Sequence, residues 1–140
     1  MQMTRRDLFA LAAGLAAAGL ISLPADASTD AVEAAIKEFA GGMPETGGVD
    51  IGAPEIAENG NTVPIEVFAD GAASIMILAA GNPNPGVGTF HFTEMSAESR
   101  ASTRIRLAKT QDVVAVAKMA DGSTKMARRE VKVTIGGCGG

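Results

Sequence analysis

The sequence is poor in the residues on which many active sites are built. Its 140 residues contain no tryptophan, no tyrosine, five phenylalanines, one histidine and one cysteine. A single cysteine excludes an internal disulfide and every metal site that needs several thiolates. With so few aromatic residues, the core of a folded domain is expected to be mostly aliphatic.

Basic residues are also scarce and scattered. The formal net charge is −4, and the short groups at Arg104 and Arg106 and at Arg128 and Arg129 are the main local concentrations of positive charge. This balance gives no electrostatic reason to expect binding to nucleic acid. The chain is 46% hydrophobic and 20% charged, which is typical of one soluble globular domain.

The first 27 residues have the pattern of a targeting sequence. Arg5 and Arg6 precede an apolar run over residues 8–23, and Ala-Asp-Ala at residues 25–27 resembles a signal-peptidase site. The paired arginines, with Thr before them and Leu-Phe after Asp7, favour a twin-arginine signal over an ordinary secretory signal. We therefore predict a signal peptide over residues 1–27, a periplasmic mature protein and no membrane segment after cleavage.

The remainder predicts a mostly β domain over residues 28–135 with one helix at its start. Asp30 is expected to cap this helix, whose apolar face includes Val32, Ile36 and Phe39, and a polar loop is expected over residues 41–61. Short strands with regular turns then indicate an immunoglobulin-like antiparallel β-sandwich. In the strand candidate TVPIEVF, Val63, Ile65 and Val67 point one way and Pro64 indicates an edge or bulge. SIMILAA is a continuous apolar run, consistent with a strand covered on both faces, and GNPNPG after it is a turn. The other strand candidates are FHFTEM, TRIRLA, VVAVAKM, closed by a turn at Asp121-Gly122, and REVKVTI, with Val131, Val133 and Ile135 facing inward.

Few residues of this body are typical of a catalyst. His91 lies on an alternating strand, where it is expected to be a surface residue, although a Cys138–His91 pair remains open because such partners meet in space. Asp50, Glu55 and Glu58 are expected to be solvated acids of one loop. No glycine-rich phosphate-binding loop is present. The sequence therefore predicts a scaffold with no catalytic residue and no metal.

The chain ends in VTIGGCGG, which puts the only cysteine on a glycine tail. Gly136 and Gly137 precede Cys138, and Gly139 and Gly140 follow it. Glycine has no side chain and a wide backbone range, so residues 136–140 are predicted to form a thin, flexible arm that reaches roughly 16–18 Å. An arm of this kind can enter a narrow enzyme channel with its sulfur leading. We interpret Cys138 as a covalent attachment point that other enzymes activate.

The ending VKVTIGGCGG, the stretches NPNPG and RIRLAKTQDVVAVAKMADG, and the twin-arginine leader resemble the SoxY family of sulfur-carrier subunits. The resemblance implies a periplasmic carrier that holds thiosulfate-derived intermediates on Cys138 and has no cofactor beyond that covalently bound sulfur. It implies a heterodimer with a SoxZ-like subunit, for which the exposed face of TRIRLA is a candidate surface. It also implies contacts with a haem-containing thiol-loading enzyme, a sulfate-releasing hydrolase and a sulfur dehydrogenase.

Two other functions remain open. A terminal Gly-Gly also ends the ubiquitin-like carriers that hold sulfur as a thiocarboxylate, although their ATP-dependent activation in the cytosol conflicts with an export signal. The second alternative is a periplasmic β-sandwich that binds or assembles with partners and uses its cysteine for an intermolecular disulfide.

Overall fold

The computed structural model describes residues 27–136, which contain one helix followed by nine strands. The elements are α1 (Ala27–Ala40), β1 (Glu45–Thr46), β2 (Asp50–Gly52), β3 (Ile56–Ala57), β4 (Val63–Phe68), β5 (Ala72–Ala79), β6 (Gly86–His91), β7 (Arg100–Ile105), β8 (Gln111–Met119) and β9 (Thr124–Val133).

The strands form two sheets that pack as an open β-sandwich. The larger sheet has the order β1-β9-β8-β5-β6, and β3 pairs with the same β9 strand as β1. The smaller sheet has the order β2-β4-β7. Neighbouring strands are antiparallel with two exceptions. The two-residue strands β1 and β3 pair in parallel with β9, β1 near its start and β3 at its end. The prediction of a mostly β sandwich with one helix is therefore confirmed within the described part of the chain.

Alternating aliphatic side chains form the core between the sheets. On β4, Val63, Ile65 and Val67 are at most 2% exposed, and they face Ile75 and Ile77 of β5 within the same hydrophobic cluster. Burial of such side chains is the main favourable term in folding. The predicted inward face of TVPIEVF and the predicted burial of SIMILAA are both confirmed.

Helix α1 covers the other face of the larger sheet. Val32 and Ile36 are buried in a second cluster with Leu78, Val114 and Val116, so β5 and β8 are covered on both faces. The helix ends as predicted, because Gly41 has a φ of 74° and its N–H donates to the carbonyl oxygen of Lys37 (2.8 Å).

The start of α1 differs from the prediction. The helix begins at Ala27, so Asp30 lies inside its first turn and is not the capping residue. A carboxylate there still interacts favourably with the positive end of the helix dipole.

The segment expected to be a loop also contributes strands. Residues 41–61 contain β1, β2 and β3, and β1 and β3 add short parallel pairs to the edge of β9 that β8 leaves uncovered. Pro64 lies on β4 between β2 and β7, but β2 pairs only with Glu66–Phe68. The strand is therefore locally an edge at Pro64, where a missing N–H is tolerated.

The last predicted strand is correct in position but not at its end. Val131 is fully buried and Val133 is half-buried, whereas Ile135 lies beyond the end of β9 and is 67% exposed. The inward assignment of Ile135 is wrong because the chain leaves the sheet after Val133, which ends the alternation of faces. The turn before β9 is as predicted, with Gly122 at a φ of 89°. Hydrogen bonds from the hydroxyl and then the amide of Ser123 hold the pKa of Asp121 below its ordinary value.

Within residues 27–136, no helix has the length and apolar character needed to cross a membrane.

Packing of α1 is testable with one buried and one exposed substitution. Ile36→Ala removes a side chain that is 1% exposed, so we expect a loss of about 2–5 kcal/mol in the free energy of unfolding. The measurement is urea unfolding followed by far-UV circular dichroism. Glu38→Ala, on the exposed side of the same helix, is the control and should change stability by less than about 0.5 kcal/mol. Equal effects of the two substitutions would contradict the packing described for α1.

Candidate functional site

The predicted attachment site lies at the edge of what the structure describes. Cys138, Gly137, Gly139 and Gly140 fall outside the described residues, as do Arg5 and Arg6. Gly136 is the last described residue, and it marks the point from which the rest of the chain extends. We call Ile135 and Gly136 the arm root. The site is described through these two residues and through the residues that hold them.

The segment 57–60 lies along one side of the arm root. The N–H of Thr134 donates to the carbonyl oxygen of Ala57 (3.1 Å), and its hydroxyl donates to the carbonyl oxygen of Glu58 (3.1 Å). The N–H of Gly60 donates to the carbonyl oxygen of Ile135 (2.7 Å). These bonds continue the parallel pairing of β3 with β9, so the chain stays attached for two residues after the strand ends.

The segment 107–110 lies along the other side. The hydroxyl oxygen of Thr110 accepts the N–H of Val133 (2.9 Å), and the N–H of Leu107 donates to the carbonyl oxygen of Gly60 (2.8 Å), which joins the two segments. Gly136 packs so closely on this side that a Cβ atom would overlap the carbonyl oxygen of Ala108. We call residues 57–60 and 107–110 together the collar.

Gly136 therefore has a packing role that the sequence did not indicate. It was predicted to be the first residue of the arm, where glycine provides backbone freedom. In the structure its missing side chain permits a close approach to Ala108.

A buried pair of amide side chains holds the second collar segment. Asn82 Nδ2 donates to the carbonyl oxygen of Arg106 (2.8 Å), and Asn82 Oδ1 accepts the N–H of Ala108 (2.9 Å). Gln111 Nε2 donates to Asn82 Oδ1 (2.9 Å) and to the carbonyl oxygen of Lys109 (2.9 Å). Gln111 Oε1 accepts the N–H of Gly81 (2.9 Å). The two side chains are 4% and 7% exposed.

The orientation of these amides follows from their backbone partners. A backbone N–H can only donate and a backbone carbonyl can only accept, so Ala108 and Arg106 define which atom of Asn82 is oxygen and which is nitrogen. Among the described residues, no buried side-chain nitrogen or oxygen lacks a hydrogen-bond partner. From the sequence, Asn82 is predicted only as part of a turn.

His91 lies at the opposite end of the larger sheet. It pairs with Ser74, which pairs with Lys118 near the end of β8, whereas Val131 pairs with Gln111 at the start of β8. Seven residues of strand separate these two levels, or roughly 23 Å. The two Cα–Cα steps from Gly136 to Cys138 span roughly 7 Å at most. A Cys138–His91 pair within one chain is therefore excluded by covalent geometry.

The three acids of the 41–61 segment do not form an acid–base site. The side chains of Asp50, Glu55 and Glu58 are all exposed, and the last two contribute backbone carbonyls that hold the end of β9. Among the residues that the structure describes, no group of three or more His, Cys, Asp or Glu could hold a metal ion.

The exposed face of TRIRLA lies on the smaller sheet. Arg104 is exposed there and lines an open groove of about 580 Å³ with Glu66, Pro54 and Pro64. Next to it, Arg100 donates to Glu98 (2.7 Å) and to Glu66, and these hydrogen bonds raise the pKa of its guanidinium. This face is polar and solvated, and its link to a partner stays a prediction.

The fold and the arm root define a class of protein. The described residues form a small β-sandwich that holds its chain end at one edge of the sheet, with no metal-ligand cluster and with its histidine far from the arm root. The class so defined is a β-sandwich domain whose last strand and collar hold residues 134–136 at one edge of the larger sheet.

Comparisons with known proteins identify the family. Residues 36–138 match the family described as "Sulfur oxidation protein SoxY". The sulfur carrier protein SoxY from Chlorobium limicola f thiosulfatophilum is 37% identical, with 76% of this chain and 98% of that chain covered and a TM-score of 0.65. No curated protein matches the chain. The chain belongs to the SoxY family of sulfur oxidation proteins.

More distant structures share the fold. The superoxide reductase neelaredoxin from Ignicoccus hospitalis is 22% identical, with 62% of this chain and 80% of that chain covered and a TM-score of 0.54. A superoxide reductase from Thermotoga maritima, described as putative in its name, is 16% identical, with 68% and 89% covered and a TM-score of 0.51. These likenesses show the β-sandwich alone.

The close approach at Gly136 is testable with a matched pair of glycine substitutions. Gly136→Ala forces the arm root or Ala108 to move, and we expect a loss of about 1–3 kcal/mol in the free energy of unfolding. Gly42→Ala is the control, because a Cβ at Gly42 meets nothing within 4 Å and its φ is not positive. Thermal and urea unfolding compare the two. A Gly136→Ala protein as stable as the control would contradict the packing against Ala108.

Proposed function

We propose that this protein is the covalent carrier of a thiosulfate-oxidising system, with Cys138 as its attachment point. Membership of the SoxY family is the observation that carries the proposal, because the matched residues run up to and include Cys138. The similar Chlorobium protein is a sulfur carrier. The geometry of the arm root supports the same role, since β9 and the collar bring the chain end to the protein surface.

The chemistry at Cys138 follows from the sulfur atoms involved. Its thiolate forms a new S–S bond to the outer sulfur of thiosulfate, giving a cysteine S-thiosulfonate, and two electrons pass to the haem-containing loading enzyme. Water then cleaves the bond to the sulfonate group, which leaves as sulfate with release of a proton, and a persulfide remains on Cys138. A sulfur dehydrogenase oxidises this outer sulfur before a second hydrolysis in systems that have that enzyme.

The protein's own part is to present the sulfur and not to activate it. Within the described residues, neither His91 nor the acids of the 41–61 segment lie in a constellation that could serve as a general base for Cys138. The glycines beside Cys138 add no side-chain bulk, which suits entry into a narrow channel of a partner. Activation is therefore assigned to the enzymes that load and unload the carrier.

Partners and location complete the proposal. We assign a heterodimer with a SoxZ-like subunit, transient contacts with the loading enzyme, the hydrolase and the dehydrogenase, and the periplasm as the compartment. The supporting observations are the family and the leader sequence at residues 1–27. The exposed arginine-bearing face of the smaller sheet is available as one contact surface.

Replacement of the attachment atom tests the proposal directly. Protein isolated from thiosulfate-grown cells should carry reductant-labile sulfur or thiosulfonate adducts on Cys138, detected by intact-mass and peptide spectrometry. Cys138→Ser should keep the fold and partner binding but lose all adducts and all pathway turnover. A bare thiol, or only a Cys138–Cys138 dimer, in cells with active loading enzyme would overturn the carrier assignment and favour a binding or assembly module.

Deletion of Gly139 and Gly140 separates the two kinds of sulfur carrier. A carrier that uses the Cys138 thiol should still be loaded with sulfur after this deletion. A carrier that uses a C-terminal thiocarboxylate would lose loading completely, because the Gly-Gly carboxylate that its activation requires would be replaced by the carboxylate of Cys138. Mass spectrometry of the truncated protein after incubation with thiosulfate and the loading enzyme gives the measurement.

A further inference from the structure

The turn between β5 and β6 contains two asparagines with very different surroundings. Asn82 is 4% exposed, and its side chain forms hydrogen bonds with the backbone of Arg106 and of Ala108, the two residues that flank Leu107. Asn84, two residues later, is exposed. A buried polar side chain is costly unless its bonds are made, so Asn82 serves a defined purpose at its position.

The bonds of Asn82 lead directly to the arm root. They hold the 107–110 segment in place, and that segment contacts the chain end through Ala108 at Gly136 and through Thr110 at Val133. Gln111 holds Asn82 in this orientation, because its Nε2 donates to Asn82 Oδ1 while its Oε1 accepts the N–H of Gly81. Leu107, which is fully buried, anchors the same segment to the core.

We propose that Asn82 is a positioning residue for the arm: its carboxamide holds the 107–110 side of the collar against Gly136 and so determines where the chain beyond Gly136 leaves the body. The proposal rests on the proposed function in one respect only, namely that the arm carries sulfur on Cys138. Loss of the carboxamide removes the bonds to Arg106 and Ala108, which loosens the 107–110 segment beside Gly136 and widens the range of directions open to the arm root. Partner enzymes would then meet Cys138 in the right position less often.

A distance measurement tests the positioning without any sulfur chemistry. Spin labels are attached to Cys138 and to a cysteine introduced by Ala73→Cys, an exposed position at the far end of β5. Double electron–electron resonance then gives the distribution of distances between the labels. We expect Asn82→Ala to broaden this distribution, and Asn84→Ala, the matched control in the same turn, to leave it unchanged. Equal widths in the two variants would overturn the proposal.

Hydrogen exchange keeps the test valid if Asn82→Ala does not fold. In the wild-type protein, the Ala108 amide should exchange far more slowly than an unstructured amide, because it donates to Asn82 Oδ1. Exchange at the unstructured rate would mean that the contact is open in solution, and the proposal would fail. Gln111→Ala removes the bond to Asn82 together with those to Lys109 and Gly81, so it should accelerate exchange at Ala108 and leave the far end of β5 unchanged.

A kinetic comparison distinguishes positioning from general damage. In Asn82→Ala, loading of Cys138 by the haem-containing enzyme should need roughly three- to tenfold more carrier for half-maximal rate, because fewer encounters are correctly oriented. Alkylation of the same thiol by iodoacetamide, which needs no orientation, should be unchanged. A loss of both rates, or of neither, would contradict a positioning role. Wild-type protein that is never loaded would instead overturn the proposed function, while the distance and exchange results would still decide the role of Asn82.

Discussion

The pairing of β9 with β8 is the interaction on which the rest of the architecture depends. The ladder runs from Thr124 with Lys118 to Val131 with Gln111 and is the longest among the described strands. β8 is itself buried on both faces, by the smaller sheet on one side and by α1 on the other. Because β9 is tied along this whole length, the end of the chain emerges at one defined corner of the sandwich. β8 and the two layers that cover it thus hold the last strand in place.

The corner where the chain emerges combines contributions from distant parts of the sequence. The 41–61 segment supplies β3 and Gly60, the turn after β5 supplies Asn82, and the start of β8 supplies Gln111. Each makes one or a few hydrogen bonds, which individually stabilise only modestly. Together they leave the backbone around Ile135 well satisfied although it lies outside the regular sheet. A chain end that emerges at the surface can therefore still have a defined starting point.

Features that repeat along the sequence predict their place in the fold, whereas features that depend on a single contact do not. Alternation of Val63, Ile65 and Val67 predicts the buried face of β4, and the spacing of Val32 and Ile36 predicts the buried face of α1. Strands of two residues, such as β1 and β3, have no period to detect, and they exist because β9 offers them an open edge. Nothing local distinguishes Asn82 from Asn84, since burial depends on where the chain folds back.

The same limit applies to the candidate site. The glycine tail and its cysteine were visible at once, because their composition is unusual wherever the chain places them. The collar was not visible, because its members are separated by dozens of residues and belong to common residue types. Ile135 was assigned to the core by extending an alternation past the point where the strand ends, and it is in fact exposed.

The packing of Gly136 against Ala108 limits how far Cys138 can reach from the body of the protein. With Gly136 held on the body, Gly137 is the one residue between it and Cys138, and the two Cα–Cα steps cover roughly 7 Å. A reaction centre sunk far below the rim of its enzyme would be out of range. On the proposed role of Cys138, an enzyme that acts on this thiol needs an entrance that is shallow, or one shaped to admit the corner of the sandwich along with the thiol. In either case the rim of the enzyme meets the collar, and recognition of the carrier becomes a matter of surface shape as well as of sulfur chemistry.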